Sequence, residues 1–481
     1  MLRPPPVHQA RGNVPLGFPF FLPVFLPFFI SVMIFVPCIA ADGDATAPPQ
    51  PRIQSTLDRE TIRTFKLGQY DEVIRILHDH ISEDKKPSRE LLRLACISHI
   101  ELGHPEEAAK LYMRLIPSGQ PEDVPLLKQL ALGQIMSRVR DPQEHIRIAA
   151  YTALADLDGA GVPAILEDGM LDSSALVRAR AAEAIGKSGG ASRSDALKRA
   201  LRDEAPGVRI AAITALGDAK VNDISARLTD IARIDEGPES IFALAGLFKL
   251  GRTDVLIDIT NAATLPNPEV RMAALGTLGK LRRPSSLAIL SQAVYDPEPS
   301  VRAFAAGALG DYGSSEGVAA LTHAISDDHP RVRGIAAVSL GRLGIRDTRS
   351  LLQPLLRDPV EQVKASAIEG LLRLGEATPL FVAADLLRHP DPSVRGATAQ
   401  ALSATSNPRV LSLLDSLLRD QQPLPRLLAA RSLGKTGLPS AIPLLKTGLT
   451  DTDPTVRIAA AGSVLRLLNK KKEKFPSSSK G

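Results

Sequence analysis

Two pentapeptides, Gly313-Ser314-Ser315-Glu316-Gly317 and Gly186-Lys187-Ser188-Gly189-Gly190, fit the G-x-S-x-G pattern that presents a serine nucleophile. That chemistry needs a strand before the serine and a helix after it. Both pentapeptides instead fall in a turn that follows a helix, where glycine recurs at fixed spacing. Gly434-Lys435-Thr436 matches the end of a phosphate-binding loop, but Ala429 stands where the first glycine is required. His78 and His80 are two apart, so on a helix they point in different directions and make a poor metal pair. The cysteines are Cys38 and Cys96 alone. No catalytic residue, metal site or cofactor is expected from these motifs.

The residue type that does recur is arginine. Stepping by 31 from Arg302 reaches positions 147, 178, 209, 240, 271, 302, 333, 364, 395, 426 and 457, of which nine are Arg, with Ser240 and Lys364 the exceptions. Val or Ile precedes nine of the eleven positions; Glu239 and Pro425 are the exceptions. Three residues after the register stands Ala in ten, and seven after it stands Leu in nine. Six before it stands Asp in eight: Asp141, Asp172, Asp203, Asp296, Asp327, Asp358, Asp420 and Asp451. No insertion or deletion interrupts the series. Within one period Val318 to Ile325 has helical apolar spacing, Asp327-Asp328-His329-Pro330 breaks it, and Val332 to Leu343 resumes it until Gly344. Asp or Pro starts the second helix and Gly supplies a left-handed cap at its end. No run of alternating β-branched residues marks a strand.

These residues, Asp-x5-Arg with Val before the Arg, then Ala and Leu-Gly, resemble the HEAT repeat, most closely the short HEAT-like type of phycobilisome lyases. The resemblance covers about Asp141 to Asn469. It implies an all-α fold, an α-solenoid (α-α superhelix) of about eleven 31-residue HEAT-like repeats. Two repeats depart from the pattern, and altered curvature is expected there: the one around Ser240 lacks the Asp and the Arg, and the one around Arg395 has Ser403 and Ser406 for Gly. Upstream, Leu67-Gly68-Gln69-Tyr70-Asp71-Glu72 and Leu102-Gly103-His104-Pro105-Glu106-Glu107-Ala108 lie 35 residues apart. They resemble the tetratricopeptide repeat, with Tyr112 and Leu115 at packing positions. Two such helix pairs over 55–118 are expected to cap the solenoid of 141–469, joined to it by a bridging helix within 119–140.

On a helical wheel with the register Arg at 0°, the Leu seven later lies at about 340° and the Ala three later at about 300°. The Arg therefore starts on the apolar face and must be paired. The Asp six residues earlier is the expected partner, and the resemblance implies a ladder that runs from repeat to repeat. Its members are Asp172, Arg178, Asp203, Arg209, Asp296, Arg302, Asp327, Arg333, Asp451 and Arg457. The variable sector lies opposite, and its row nine after the register reads Asp156, Lys187, Asp218, Lys249, Lys280, Asp311, Arg342, Arg373, Ala404, Lys435, Arg466. The resemblance puts these second helices on the inner curve. Lys280, Arg342, Arg373, Lys435 and Arg466 are the expected partner-binding residues. Helix-end cations also complement the helix dipole, so a solvated face is the plainer reading of the same row.

Composition narrows the function. The chain has no Trp and only 4% aromatic residues, which suits thin layers of Ala and Leu better than one large core. Its net charge of +5 is carried by the ends: Arg3 and Arg11 near the start, and five Lys against Glu473 alone from Lys470 to Gly481. The body is close to neutral, so no nucleic-acid partner is expected. Residues 1–40 read as a signal peptide or an N-terminal membrane anchor. Arg3, His8 and Arg11 precede an apolar stretch, and Cys38-Ile39-Ala40 forms a small-residue cleavage pattern. Pro15, Pro19, Pro23 and Pro27 disfavour a regular spanning helix. Residues 41–54 read as a linker and 470–481 as a basic disordered tail. An exported location follows, periplasmic or secreted, or anchored with the body outside; membrane association would run only through residues 14–37.

Two enzyme classes share this architecture. Deoxyhypusine hydroxylases bind iron through His-Glu pairs, and none of the nine His here is followed by Glu. Bilin lyases act on cytoplasmic or plastid partners, which export argues against. The expectation is an exported, non-catalytic scaffold for a protein partner with an acidic or extended segment. The alternatives are a lyase or chaperone acting on a cofactor-bearing protein, and a binder of an anionic envelope polymer.

Overall fold

The computed structural model of the protein describes residues 56–82, 86–117, 119–157, 163–234 and 236–469. The expected leader and linker, with their Cys38, and the basic tail lie outside these residues. Among the described residues there are α-helices, short 3-10 turns and no strand. No described helix is long and apolar enough to cross a membrane.

Five helices precede the array: α1 (Thr56–Lys66), α2 (Tyr70–Ser82), α3 (Arg89–Glu101), α4 (Pro105–Leu115) and α5 (Val124–Met136). Helices α1 and α2 turn at Gly68 and helices α3 and α4 at Gly103, both left-handed at φ 73° and 76°. Eleven repeats follow, numbered here by their register positions from Arg147 (repeat 1) to Arg457 (repeat 11). The second helix of repeat 7, for example, is Pro330–Leu343, and Gly344 closes it at φ 69°. Pro is the first residue of eight of the eleven second helices. Its missing N–H would have no intrahelical partner there. Where the register Asp is present it accepts a backbone N–H two residues on, as Asp296 does from Glu298 at 2.9 Å, which fixes the turn between the two helices.

Consecutive second helices pack directly on one another through the whole array, whereas consecutive first helices touch far less. The second helices therefore form the inner layer. Each layer of core is thin: in repeat 6, Val301, Ala305, Ala306 and Leu309 are all at most 1% exposed.

The solenoid does not end in solvent. The last second helix, Pro454–Asn469, packs against α5 and against Glu144–Ala155, the second helix of repeat 1. It is buried on every side, including Ile458, Ala461 and Leu465. One continuous apolar cluster joins the N-terminal helices and repeats 1–4 to repeats 8–11. A second runs from Ile241 to Leu371. The repeats thus return on themselves and the helical body closes. Polar contacts tie the seam. Lys446, 2% exposed, reaches from repeat 11 to Glu122 at 2.8 Å and donates to the Ile116 carbonyl at 3.2 Å. Gln134 of α5 donates to the carbonyls of Leu449 and Pro105, each at 3.1 Å. The expected cap is therefore also a closing piece between the last repeat and the first.

Candidate functional site

Two rows of side chains recur round the body, one in the inter-helix turns and one on the inner surface. In the turns, the register Arg typically bridges two repeats. Arg302 donates from Nε and Nη2 to the two oxygens of Asp327 at 2.7 and 2.9 Å. Its Nη1 donates to the carbonyl of Asp296 at 2.9 Å. The carboxylate partner is thus the Asp 25 residues later, in the next repeat, rather than the Asp six residues earlier. The earlier Asp contributes only its carbonyl, because its carboxylate already holds the preceding repeat's Arg: Asp296 pairs with Arg271 at 2.9 Å. The same geometry joins Arg147 to Asp172, Arg178 to Asp203, Arg333 to Asp358, Arg395 to Asp420 and Arg426 to Asp451. The Arg178 hydrogen bonds hold the Asp203 carboxyl below the ordinary carboxylate range against the opposing effect of burial.

Two residues outside the repeat pattern complete the series. Arg209 has Ile234 where the Asp would be, and its guanidinium turns to Glu239 instead, at 2.7 Å from Nε. Arg457, last in the chain, pairs at 3.0 Å with Glu106 of α4. Glu106 also holds Arg138, which reaches Asp141 at 3.1 Å, so the series crosses the seam. It is interrupted twice. Ser240 would face Leu265, and Lys364 would face His389; Lys364 bonds Glu361 of its own helix at 2.9 Å. The repeat around Arg395 keeps its Asp420 contact, so its departure from the pattern does not break the series there. The interruptions fall near the ends of the Ile241–Leu371 cluster.

On the inner surface the expected basic row does not act as one line. Arg342 pairs with Asp311 at 2.8 Å and Arg373 with Glu369 at 2.8 Å, so both are neutralised within the protein. Lys249 pairs with Asp218. Lys280, Lys435 and Arg466 have no hydrogen bond or ion pair among the described residues, and they lie in two different places. Lys280 edges an apolar pocket of about 140 Å³. Phe242, Met272 and Phe304 wall it, and Gly276 and Ala245 leave it open. Phe304 is 43% exposed. Lys435 and Arg466 line a smaller hollow at the seam, together with Arg431 and Asp156. The aromatic walls of the Lys280 pocket could have been found in the sequence, since Phe242 and Phe304 both stand two after the register in an otherwise aromatic-poor chain.

The 31-residue period, the paired helices and the Asp–Arg contacts agree with the sequence model of HEAT repeats, which matches residues 170–241, 288–372 and 380–466, together just over half of the chain. The chain belongs to the HEAT repeat family.

Among curated proteins no relative matches it. Solved structures that match include human deoxyhypusine hydroxylase in complex with glycerol, at 19% identity and TM-score 0.30, covering 52% of this chain and 97% of that one. The complex of CpcE and CpcF of phycocyanin lyase from Nostoc sp. PCC7120 matches at 17% identity and TM-score 0.33, covering 56% and 94%. YibA of Escherichia coli matches at 18% and 0.28, covering 68% and 98%.

The catalytic look-alikes take places the HEAT repeat assigns them. Gly313 is the left-handed cap of a second helix at φ 78°, and Ser314 caps the next turn by accepting from the Glu316 N–H at 3.2 Å. Gly189 plays the same capping part at φ 74°. Gly434 lies inside the second helix of repeat 10. Cys96 is fully buried, and burial pushes its thiol up to about 12. Among the described residues no three His, Cys, Asp or Glu side chains cluster as metal ligands.

Proposed function

We propose that this protein is an exported, non-catalytic HEAT repeat scaffold, and that an extended segment of a protein partner binds its inner surface at the Lys280 pocket. One observation carries the reading. The wall of second helices has an open apolar pocket with a half-exposed Phe304 beside an unpaired ammonium. A cavity of about 150 Å³ takes a benzene-sized group, so this one suits a single aromatic or branched side chain. An acidic group next to that side chain would meet Lys280. Buried apolar anchors of this kind dominate binding energy at protein interfaces. Export is supported by the apolar stretch and the small-residue site at Cys38-Ile39-Ala40.

The test fills the pocket without touching the fold. A Cβ on Gly276 would meet no atom within 4 Å, so Gly276→Leu projects into the open pocket from a regular helix. Peptides selected from a random display library on the intact protein are expected to carry an aromatic or branched residue beside an acid. Gly276→Leu should abolish their binding and Lys280→Glu weaken it by about tenfold. Peptides of that type binding Gly276→Leu as well as wild type would refute the assignment. For export, a reporter fused after Gly43 should appear beyond the cytoplasmic membrane; retention inside would sink that part alone.

A further inference from the structure

The second unpaired basic cluster lies at the seam, far round the array from the Lys280 pocket. Arg431 and Lys435 come from repeat 10 and Arg466 from repeat 11. The facing wall, with Ala153 and Asp156, comes from repeat 1. The hollow exists because small residues meet there: a Cβ on Gly462 would stand 3.3 Å from that of Ala153. With no bulk on the helix surfaces, the cations rim a depression instead of packing over it.

Arg431 is the informative residue. It is half-buried, yet its guanidinium has no hydrogen bond or ion pair among the described residues. Its counterparts in the turns each hold a carboxylate at 2.6 to 2.9 Å. Burial disfavours its charged form, Asp156 opposes that and Arg180 adds to it. Asp156 is the one carboxylate in the hollow and is already drawn towards Lys187, at 3.9 Å. Three cations therefore share one carboxylate that is only partly theirs. A half-buried charge without a partner is unfavourable, and a bound counter-ion removes the penalty.

Size decides what kind. The hollow holds about 30 Å³, and a single water needs roughly 10–15 Å³ on the same measure. A bulky organic side chain does not fit, whereas the oxygens of a compact anionic group do. Guanidinium forks match tetrahedral oxyanions in a bidentate manner, and a lysine adds a point charge. We infer that the seam hollow is a binding site for a compact oxyanion of the phosphate class, held by Arg431, Lys435 and Arg466. Because its walls come from repeats 10, 11 and 1, the bound anion also clamps the closed array.

Isothermal titration of the full chain with inorganic pyrophosphate and with phosphate, at fixed ionic strength, tests this. Saturable one-to-one binding is expected, tighter for pyrophosphate, with a rise in melting temperature. Arg431→Gln removes an unpaired charge and so should fold; it is expected to weaken binding tenfold or more. Arg466→Gln is expected to act in the same direction, and Lys280→Gln, in the other pocket, to change nothing. Long-chain polyphosphate separates a free anion from a phosphoryl group on a polymer: binding tighter than pyrophosphate and equally sensitive to Arg431→Gln assigns the polymer, and binding no tighter assigns the free ion. Absence of saturable binding, equal binding by Arg431→Gln, or equal loss in Lys280→Gln would overturn the site.

Discussion

Arg302 divides its donors between two repeats, a carbonyl of its own turn and the carboxylate of the next. That division makes the contact a link between neighbours instead of a local cap. With Arg302 at 18% and Asp327 at 6% side-chain exposure, removing the cation leaves a buried carboxylate without its partner, at a cost on the order of 3 kcal/mol. The register is testable in a double-mutant cycle read by urea denaturation. Arg302→Ala and Asp327→Asn should couple by about 1–3 kcal/mol, and Arg302→Ala with Asp296→Asn by less than about 0.5, since the Asp296 carbonyl survives the substitution. Stronger coupling to Asp296 would place the partner within the repeat. The sequence contains the information for this register, in its exceptions. Where the Arg is lost, at Ser240 and Lys364, the acid 25 residues on is also lost, at Leu265 and His389. The acid six residues before is missing in repeats that keep their Arg, at Leu265 before Arg271 and His389 before Arg395. Wheel geometry alone could not reveal this, because it places a side chain on a face without saying how far along the axis it reaches.

At the scale of the helix the repeated glycines separate into two jobs. Those eleven after the register, such as Gly344, adopt positive φ and end the second helix. Those eight after it lie inside the helix and set how closely neighbours approach. A Cβ on Gly341 would stand 2.4 Å from the Cα of Gly370 in the next second helix, and one on Gly279 would stand 2.7 Å from the Ala308 carbonyl oxygen. Backbone cannot yield as a side chain does, so Gly341→Ala should destabilise by about 1–3 kcal/mol. Gly276→Ala, five after the register and facing open space, should stabilise by about 0.5–1 kcal/mol through the unfolded chain. Thermal melts of the two variants should shift in opposite directions. A shared direction would mean that helix propensity, not inter-helix distance, governs both. Helix boundaries were legible from period, proline and glycine. The pairing of Arg342 was legible too, since Asp311 precedes it in the same row, one repeat back; that of Arg373 was not, because Glu369 lies one turn away on its own helix and outside the row.

The closed body is the feature least visible in the sequence. A repeat pattern specifies how one unit meets the next, and the curvature that brings repeat 11 back to repeat 1 accumulates from small offsets at every interface. The seam residues Glu106, Glu122, Gln134 and Lys446 belong to no recurring position, so nothing in the period announces them. Their contacts do show that closure is built in: Lys446 is 2% exposed, an unusual place for a lysine unless it is paired. Closure can be checked covalently. The Cβ positions of residues 153 and 462 are separated by 3.3 Å, near the 3.5–4.5 Å usual across a disulfide, although they are 309 positions apart in the chain. Ala153→Cys with Gly462→Cys should therefore cross-link within one molecule under mild oxidation. The native Cys96 is buried with its thiol pushed up to about 12, so it should not compete. The cross-linked form should migrate faster in non-reducing gels and melt at a higher temperature, since the bond closes a very long loop in the unfolded chain. If both new thiols react freely with a small reagent yet form no intramolecular bond, the body is an open solenoid in solution and the seam contacts do not persist.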